Sequence, residues 1–100
     1  MAAYLIAEVE VSDNAGYEEY RQKVPAVIAA HGGRYLVRGG ALDVLEGVRA
    51  PKRMVVLEFP SRDALQTFWT SPEYRPLRAL RERAARSNIV AVEGFAPPAG

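Results

Sequence analysis

The chain has no cysteine, a single histidine and only two lysines, Lys23 and Lys52, among its 100 residues. Without cysteine, disulfides, zinc–thiolate sites and thiol catalysis are all excluded. One histidine with no spaced ligand motif around it gives a metal site no support. The net charge is +1, so no long-range field would gather nucleic acid or an anionic membrane surface. Apolar runs fall short of the roughly 18–20 residues a membrane helix needs. The amino terminus has no basic segment followed by an apolar core, so no signal peptide is read there and a cytoplasmic location is expected. The basic groups that remain are nearly all arginine, a choice that suits carboxylate or phosphate recognition and that a GC-rich genome also produces. A 49% hydrophobic and 25% charged composition is that of a globular protein. Residues 1–95 are expected to form one domain, with 96–100, Ala-Pro-Pro-Ala-Gly, as a disordered tail.

Hydrophobic periodicity lays out the elements. Residues 3–11 alternate, with Leu5, Ala7, Val9 and Val11 on one face and Tyr4, Ile6, Glu8 and Glu10 on the other, which predicts a strand. Ser12-Asp13-Asn14 supplies helix-capping side chains. Tyr17, Tyr20, Val24, Val27 and Ile28 then recur at helical spacing up to a stop at Gly32-Gly33. Pro25 falls inside this helix, so a kink or a restart is expected there. Arg34 to Arg38 predicts a short strand with a bulge or bend at Gly39-Gly40; Leu42 to Glu46 is read as its continuation and Gly47 to Pro51 as a loop. Arg53 to Phe59 alternates again, with Val55, Leu57 and Phe59 opposite Met54, Val56 and Glu58. Ser61 and Asp63 open a helix carrying Ala64, Leu65, Phe68 and Trp69 inward, and Ser71-Pro72 starts another segment with Leu77, Leu80 and Ala84 inside. Ile89 to Phe95 reads as the last strand.

The order strand, helix, strand, strand, helix, strand, with right-handed crossovers, predicts an α+β ferredoxin-like βαββαβ sandwich: one antiparallel sheet with the helices on one face. The first and third strands take its centre. Their second faces, with Glu8, Glu10 and Glu58 beside Tyr4, Ile6, Met54 and Val56, are too apolar for bare water and too charged for a dry core. That face calls for a partner.

Several stretches resemble the family called domain of unknown function 1330, within the dimeric α/β-barrel superfamily. They are Tyr4-Leu5-Ile6, Tyr20-Arg21, Val24-Pro25, the run from His31 to Gly40, Leu45-Glu46-Gly47, Glu58-Phe59-Pro60-Ser61 and Ser71-Pro72-Glu73-Tyr74. Where relatives often hold a tryptophan after Leu-Glu-Gly, this chain has Val48-Arg49-Ala50. The resemblance implies two sheets packed face to face across a two-fold axis, hence a homodimer. The superfamily includes small monooxygenases, isomerases and haem-degrading enzymes, so it implies a range of chemistries rather than one.

Charges set inside strands mark where a site belongs, because they cost stability unless paired or turned to a polar cavity. Glu58 is a candidate catalytic base, with Arg38 on the neighbouring strand as ligand-holding partner if both face away from the helices; a structural ion pair is the alternative. Glu8 would be a second carboxylate next to Glu58, or a partly solvated rim residue. His31, at the end of the first helix, is either a general acid or base or a cap on the helix carbonyls. Tyr35, Trp69 and Tyr74, with Tyr17, Tyr20 and Phe68, either line a ligand pocket between helices and sheet or are plain core. Arg75, Arg78, Arg81, Arg83 and Arg86 read as a solvated surface. RNA binding is set aside, since Met54, Val55 and Val56 stand where glycine and stacking rings would be required. The expectation is a small homodimer that binds, and in one reading transforms, a small organic molecule by cofactor-independent monooxygenase- or isomerase-like chemistry. No cofactor or metal is called for. The alternative is a non-enzymatic binding or interaction module whose charges only set its interface.

Overall fold

In the computed structural model, which describes residues 1–96, the alternating segments become the sheet and the capped segments become its cover. The elements are β1 (Ala3–Val11), α1 (Asn14–Ala30), β2 (Arg34–Arg38), β3 (Arg53–Phe59), α2 (Arg62–Thr70), α3 (Arg75–Ala84) and β4 (Ala85–Glu93). The four strands run in the order β2-β3-β1-β4, each antiparallel to its neighbour. This is the ferredoxin-like arrangement, with β1 and β3 central. Leu5 pairs with Leu57 and Ala7 with Val55, so the apolar faces of the two central strands coincide. They join Val24, Ile28, Leu65, Phe68 and Tyr74 from the helical segments in one core, which explains why α1 and α2 lie on that side. Phe59, Phe68 and Tyr74 are its largest fully buried side chains, with ring centroids 5.2 Å and 4.4 Å apart along the stack.

Local chemistry sets the helix ends. The Asp13 side chain accepts from the Gly16 N–H at 3.2 Å to cap α1, and Ser61 accepts from the Ala64 N–H at 3.0 Å to cap α2. Gly32, with φ +80°, ends α1 through a turn whose next N–H, that of Gly33, donates to the Ile28 carbonyl at 2.9 Å. Between α2 and α3 the chain turns on buried Ser71, whose hydroxyl donates to the Phe68 carbonyl and accepts from the Tyr74 N–H.

Several expectations are corrected. α1 does not restart at Pro25; one helix runs through it. Leu42 to Glu46 forms no strand, since nothing pairs with it. α3 opens at Arg75 with Pro76, not Pro72, in its first turn. β4 starts at Ala85 rather than Ile89, because Ala85 to Asn88 pair with Val11 to Glu8 and the ladder outweighs their weak strand character. It ends at Glu93, short of Phe95. The tail expected at 96–100 lies, from residue 97 onward, outside the described residues. Among the described residues no helix is long and apolar enough to cross a membrane.

Candidate functional site

The position of each charged strand residue depends on one extra residue in β2. Tyr35 pairs with Leu57, but the register then shifts so that Val37 opposes Val56 and Arg38 opposes Val55. Leu36 is the bulged residue. A bulge changes the parity of everything after it, so Tyr35 and Arg38 both face the helices while Val37 faces away. Glu58 faces away as well. The expected Glu58–Arg38 pair therefore does not form.

Glu58 is held instead by Arg34, directly opposite on β2, at 2.7 Å from Nε to Oε1, and by the Tyr4 hydroxyl, which donates at 3.0 Å. These two hydrogen bonds, the Arg34 one first, hold its carboxyl below the usual carboxylate range, and the same contact pushes the Tyr4 hydroxyl up. A carboxylate so stabilised is a weak base. Glu8 pairs with Arg49. It opposes Met54 while Glu58 opposes Tyr4, four residues away along β1, a separation of roughly 13 Å at the strand rise. The two carboxylates are not neighbours. His31 turns its Nδ1 to the Val27 carbonyl at 2.9 Å, on the last turn of α1, and its ring meets the edge of Phe68. That is the capping geometry.

The helix side of the sheet encloses a different constellation. A cavity lies between α1, α3 and the strands, floored by apolar side chains such as Leu5, Val9, Leu57 and Phe68. Tyr17, Tyr20, Tyr35 and Tyr74 line it together with Arg21, Arg38, Arg53 and Arg81, and among the described residues no carboxylate does. Its water-accessible volume is about 40 Å³, room for about three ordered waters. Tyr35 and Tyr74 are thus among the residues that line the cavity. Trp69 is not: it packs outside Tyr74 at 5.6 Å between centroids, with Arg78 stacked 4.2 Å over its ring.

The cavity's polar groups are linked. Arg81 Nε points to the Tyr74 hydroxyl at 3.4 Å, and that hydroxyl shares a hydrogen bond with Tyr20 at 3.0 Å. Burial first, then the neighbouring Tyr74, pushes the Tyr20 hydroxyl far above its ordinary value, and burial raises Tyr35 against the pull of Arg38. The Tyr20 and Tyr35 phenols stay neutral. Arg53, two residues from Val55 on the same face of β3, extends its guanidinium over Tyr17 at 5.5 Å. Its Nε is buried without a hydrogen-bond partner. Arg38 lies 4.7 Å over the Tyr35 ring and donates from Nη2 to the Arg21 carbonyl at 2.7 Å. That carbonyl is free because the residue four positions on is Pro25, which has no N–H to offer it.

Arg53 and Arg81 are the residues that sequence reasoning missed. Arg53 keeps the phase of Val55, Leu57 and Phe59, and Arg81 lies four residues after Leu77 and three before Ala84. Both signals were in the pattern. The basic run of α3, read as a solvated surface, is corrected at Arg81, which is only 6% exposed.

Among solved structures, a protein of unknown function from Rhodopseudomonas palustris matches with a TM-score of 0.75 and 19% identity, over 96% of this chain and 84% of that one. SnoaB, a cofactor-independent oxygenase from Streptomyces nogalater, matches with a TM-score of 0.65 and 14% identity, over 96% and 95%. A dimeric ferredoxin-like protein of unknown function from Jannaschia sp. CCS1 matches with a TM-score of 0.65 and 13% identity, over 94% and 100%. Such likeness establishes the fold and nothing finer. No curated protein matches significantly. The family model described as Domain of unknown function (DUF1330) matches residues 2–95, and over that length the chain belongs to this family.

Proposed function

We propose that this protein is a cytoplasmic homodimer that binds a small organic molecule in the cavity between the helices and the sheet. The observation that carries the reading is the convergence of four tyrosines and four arginines on a largely apolar cavity, polar groups that can orient a ligand against apolar walls. Ile6, Val56, Val90 and Val92 supply the dimer interface on the helix-free face. Val90 and Val92 are 59% and 48% exposed in the single chain, and a face with that apolar content is stable once covered. The dimeric Jannaschia protein supports the pairing, and the oxygenase with the same fold supports a small organic ligand.

Where the bound molecule is transformed, the arginines stabilise the substrate's own anion, the proton it loses passes to solvent because the lining offers no base, and dioxygen is the oxidant of any oxygenation. Tyr35 and Tyr74 act as ligand-positioning groups and Arg38 as the charged one. The proposal does not use Glu58 or His31 to move a proton, because neither side chain lines the cavity. The lack of any carboxylate or imidazole in the lining favours a second reading, a binding module without turnover. Native mass spectrometry of freshly purified protein tests the core of the proposal. The expected result is a dimer of twice the 11.0 kDa chain mass carrying a retained small molecule. A clean monomer overturns the assembly, and an empty protein that takes up none of a metabolite extract overturns the binding site.

A further inference from the structure

Among the described residues, three cations of this cavity have no counter-ion. Among the described residues Arg21 pairs with Glu18, whereas Arg38, Arg53 and Arg81 form no salt bridge. Gathering guanidinium groups around an apolar space is costly unless something negative offsets it. The structure prepares two of them to meet it. Arg53 keeps a buried, unpartnered Nε donor. Gly39, with φ +69°, leaves the space the Arg53 guanidinium occupies, for a Cβ there would collide with it. Arg38, exposed at the rim, is fixed by a single Nη2 bond to the Arg21 carbonyl. Its remaining N–H groups stay available, since a guanidinium has five.

We infer that the cavity takes a small organic anion, a carboxylate or enolate on an apolar body, seated between Arg53 and Arg38, and that Pro25 is the positioning residue for Arg38. The inference rests on the cavity reading above and names the chemistry of its ligand. Guanidinium–carboxylate contacts are charge-assisted and roughly twice as strong as neutral hydrogen bonds, so the acid group is the anchor. Leu5, Val9, Leu57 and Phe68 receive the body. The water-accessible space of about 40 Å³ admits only the first few atoms of that body as the side chains stand, so a ring enters with the exposed Arg38 and the mouth opening to receive it. Pro25 acts at a distance: by withholding an N–H from Arg21 it leaves the carbonyl that holds Arg38 over the mouth. No covalent step is implied.

Calorimetric titration of the full chain with benzoate and with benzamide, near pH 7, separates charge from shape. Benzoate is expected to bind at least about ten-fold more tightly than its neutral isostere, a difference of about 1.4 kcal/mol. Arg53→Gln and Arg38→Met should each weaken benzoate by about ten-fold or more and benzamide by clearly less, and Arg53→Lys should retain part of the benzoate affinity. Pro25→Ala should weaken benzoate by a few fold in the wild-type background and have no effect once Arg38→Met is present. Equal binding of benzoate and benzamide, indifferent to the arginine changes, overturns the anionic ligand and leaves the cavity reading standing. Failure of both probes at millimolar concentrations overturns the inference, while retention in native mass spectrometry decides the cavity reading separately. A Pro25→Ala variant with undiminished benzoate affinity overturns the positioning role alone. Since the wild-type comparison needs no variant, misfolding of Arg53→Gln cannot shelter the idea.

Discussion

Replacing Pro25 with alanine restores a donor that α1 lacks. A proline in a helix interior is about 3 kcal/mol less favourable than alanine, through the lost hydrogen bond and the ring's clash with the carbonyl four residues back. Two effects reduce that figure here. The Arg38 guanidinium already satisfies the Arg21 carbonyl at 2.7 Å, a bond worth about 0.5–1.5 kcal/mol net. Proline also restricts the unfolded chain, which is worth about 0.4–1 kcal/mol. The balance is a stabilisation of about 1 kcal/mol, or a rise in Tm of about 4–8 °C for a domain of this size. Thermal melts at one fixed protein concentration measure it, because the Tm of an associating protein moves with concentration. The same melts on Arg38→Met and on the double variant complete a cycle. Arg38→Met should cost about 0.5–1 kcal/mol beside Pro25 and close to nothing in the Pro25→Ala background, where the new N–H takes the carbonyl. A lowered Tm in Pro25→Ala, or the same Arg38→Met cost in both backgrounds, would refute the link between the proline and the arginine.

Two further outcomes follow from the geometry on either side of the sheet. The lowered pKa of Glu58 means that its stabilising contribution is fully present above the ordinary carboxyl pKa and is lost as pH falls through the depressed folded value. An NMR titration should show its midpoint rising in Arg34→Met, and an unchanged midpoint would show that Arg34 is not the cause. Gly39→Ala should destabilise the fold by about 1–2 kcal/mol, the cost of a left-handed residue with a Cβ, and weaken benzoate by displacing Arg53. A melt and a titration indistinguishable from wild type would refute that placement.

Local pattern was enough for most of the fold. The alternation in residues 3–11 and 53–59 fixed both central strands to the residue, because a strand buried on one face must repeat every second position. Asp13 and Ser61 were legible as caps, since capping is decided within three residues of the side chain that does it. The element order then left the ferredoxin-like sandwich as the natural closure, and the helix-free face announced its need for cover.

The site was not legible in the same way. Alternation places Arg38 on the same face as Arg34, and only the pairing of β2 with β3 reveals the extra residue at Leu36 that turns Arg38 from Glu58 toward the cavity. Pro25 reads locally as a helix defect; its use appears only when β2 brings a guanidinium to the carbonyl it frees. Arg81 belongs by composition to a solvated run, yet the packing of α3 against α1 buries it beside Tyr74 and Tyr20. Composition and periodicity act along the chain and so determine elements and faces. The partners of Arg38 and Glu58 lie 17 to 54 positions away in the sequence, and tertiary packing alone decides them, as it decides the register shift in β2.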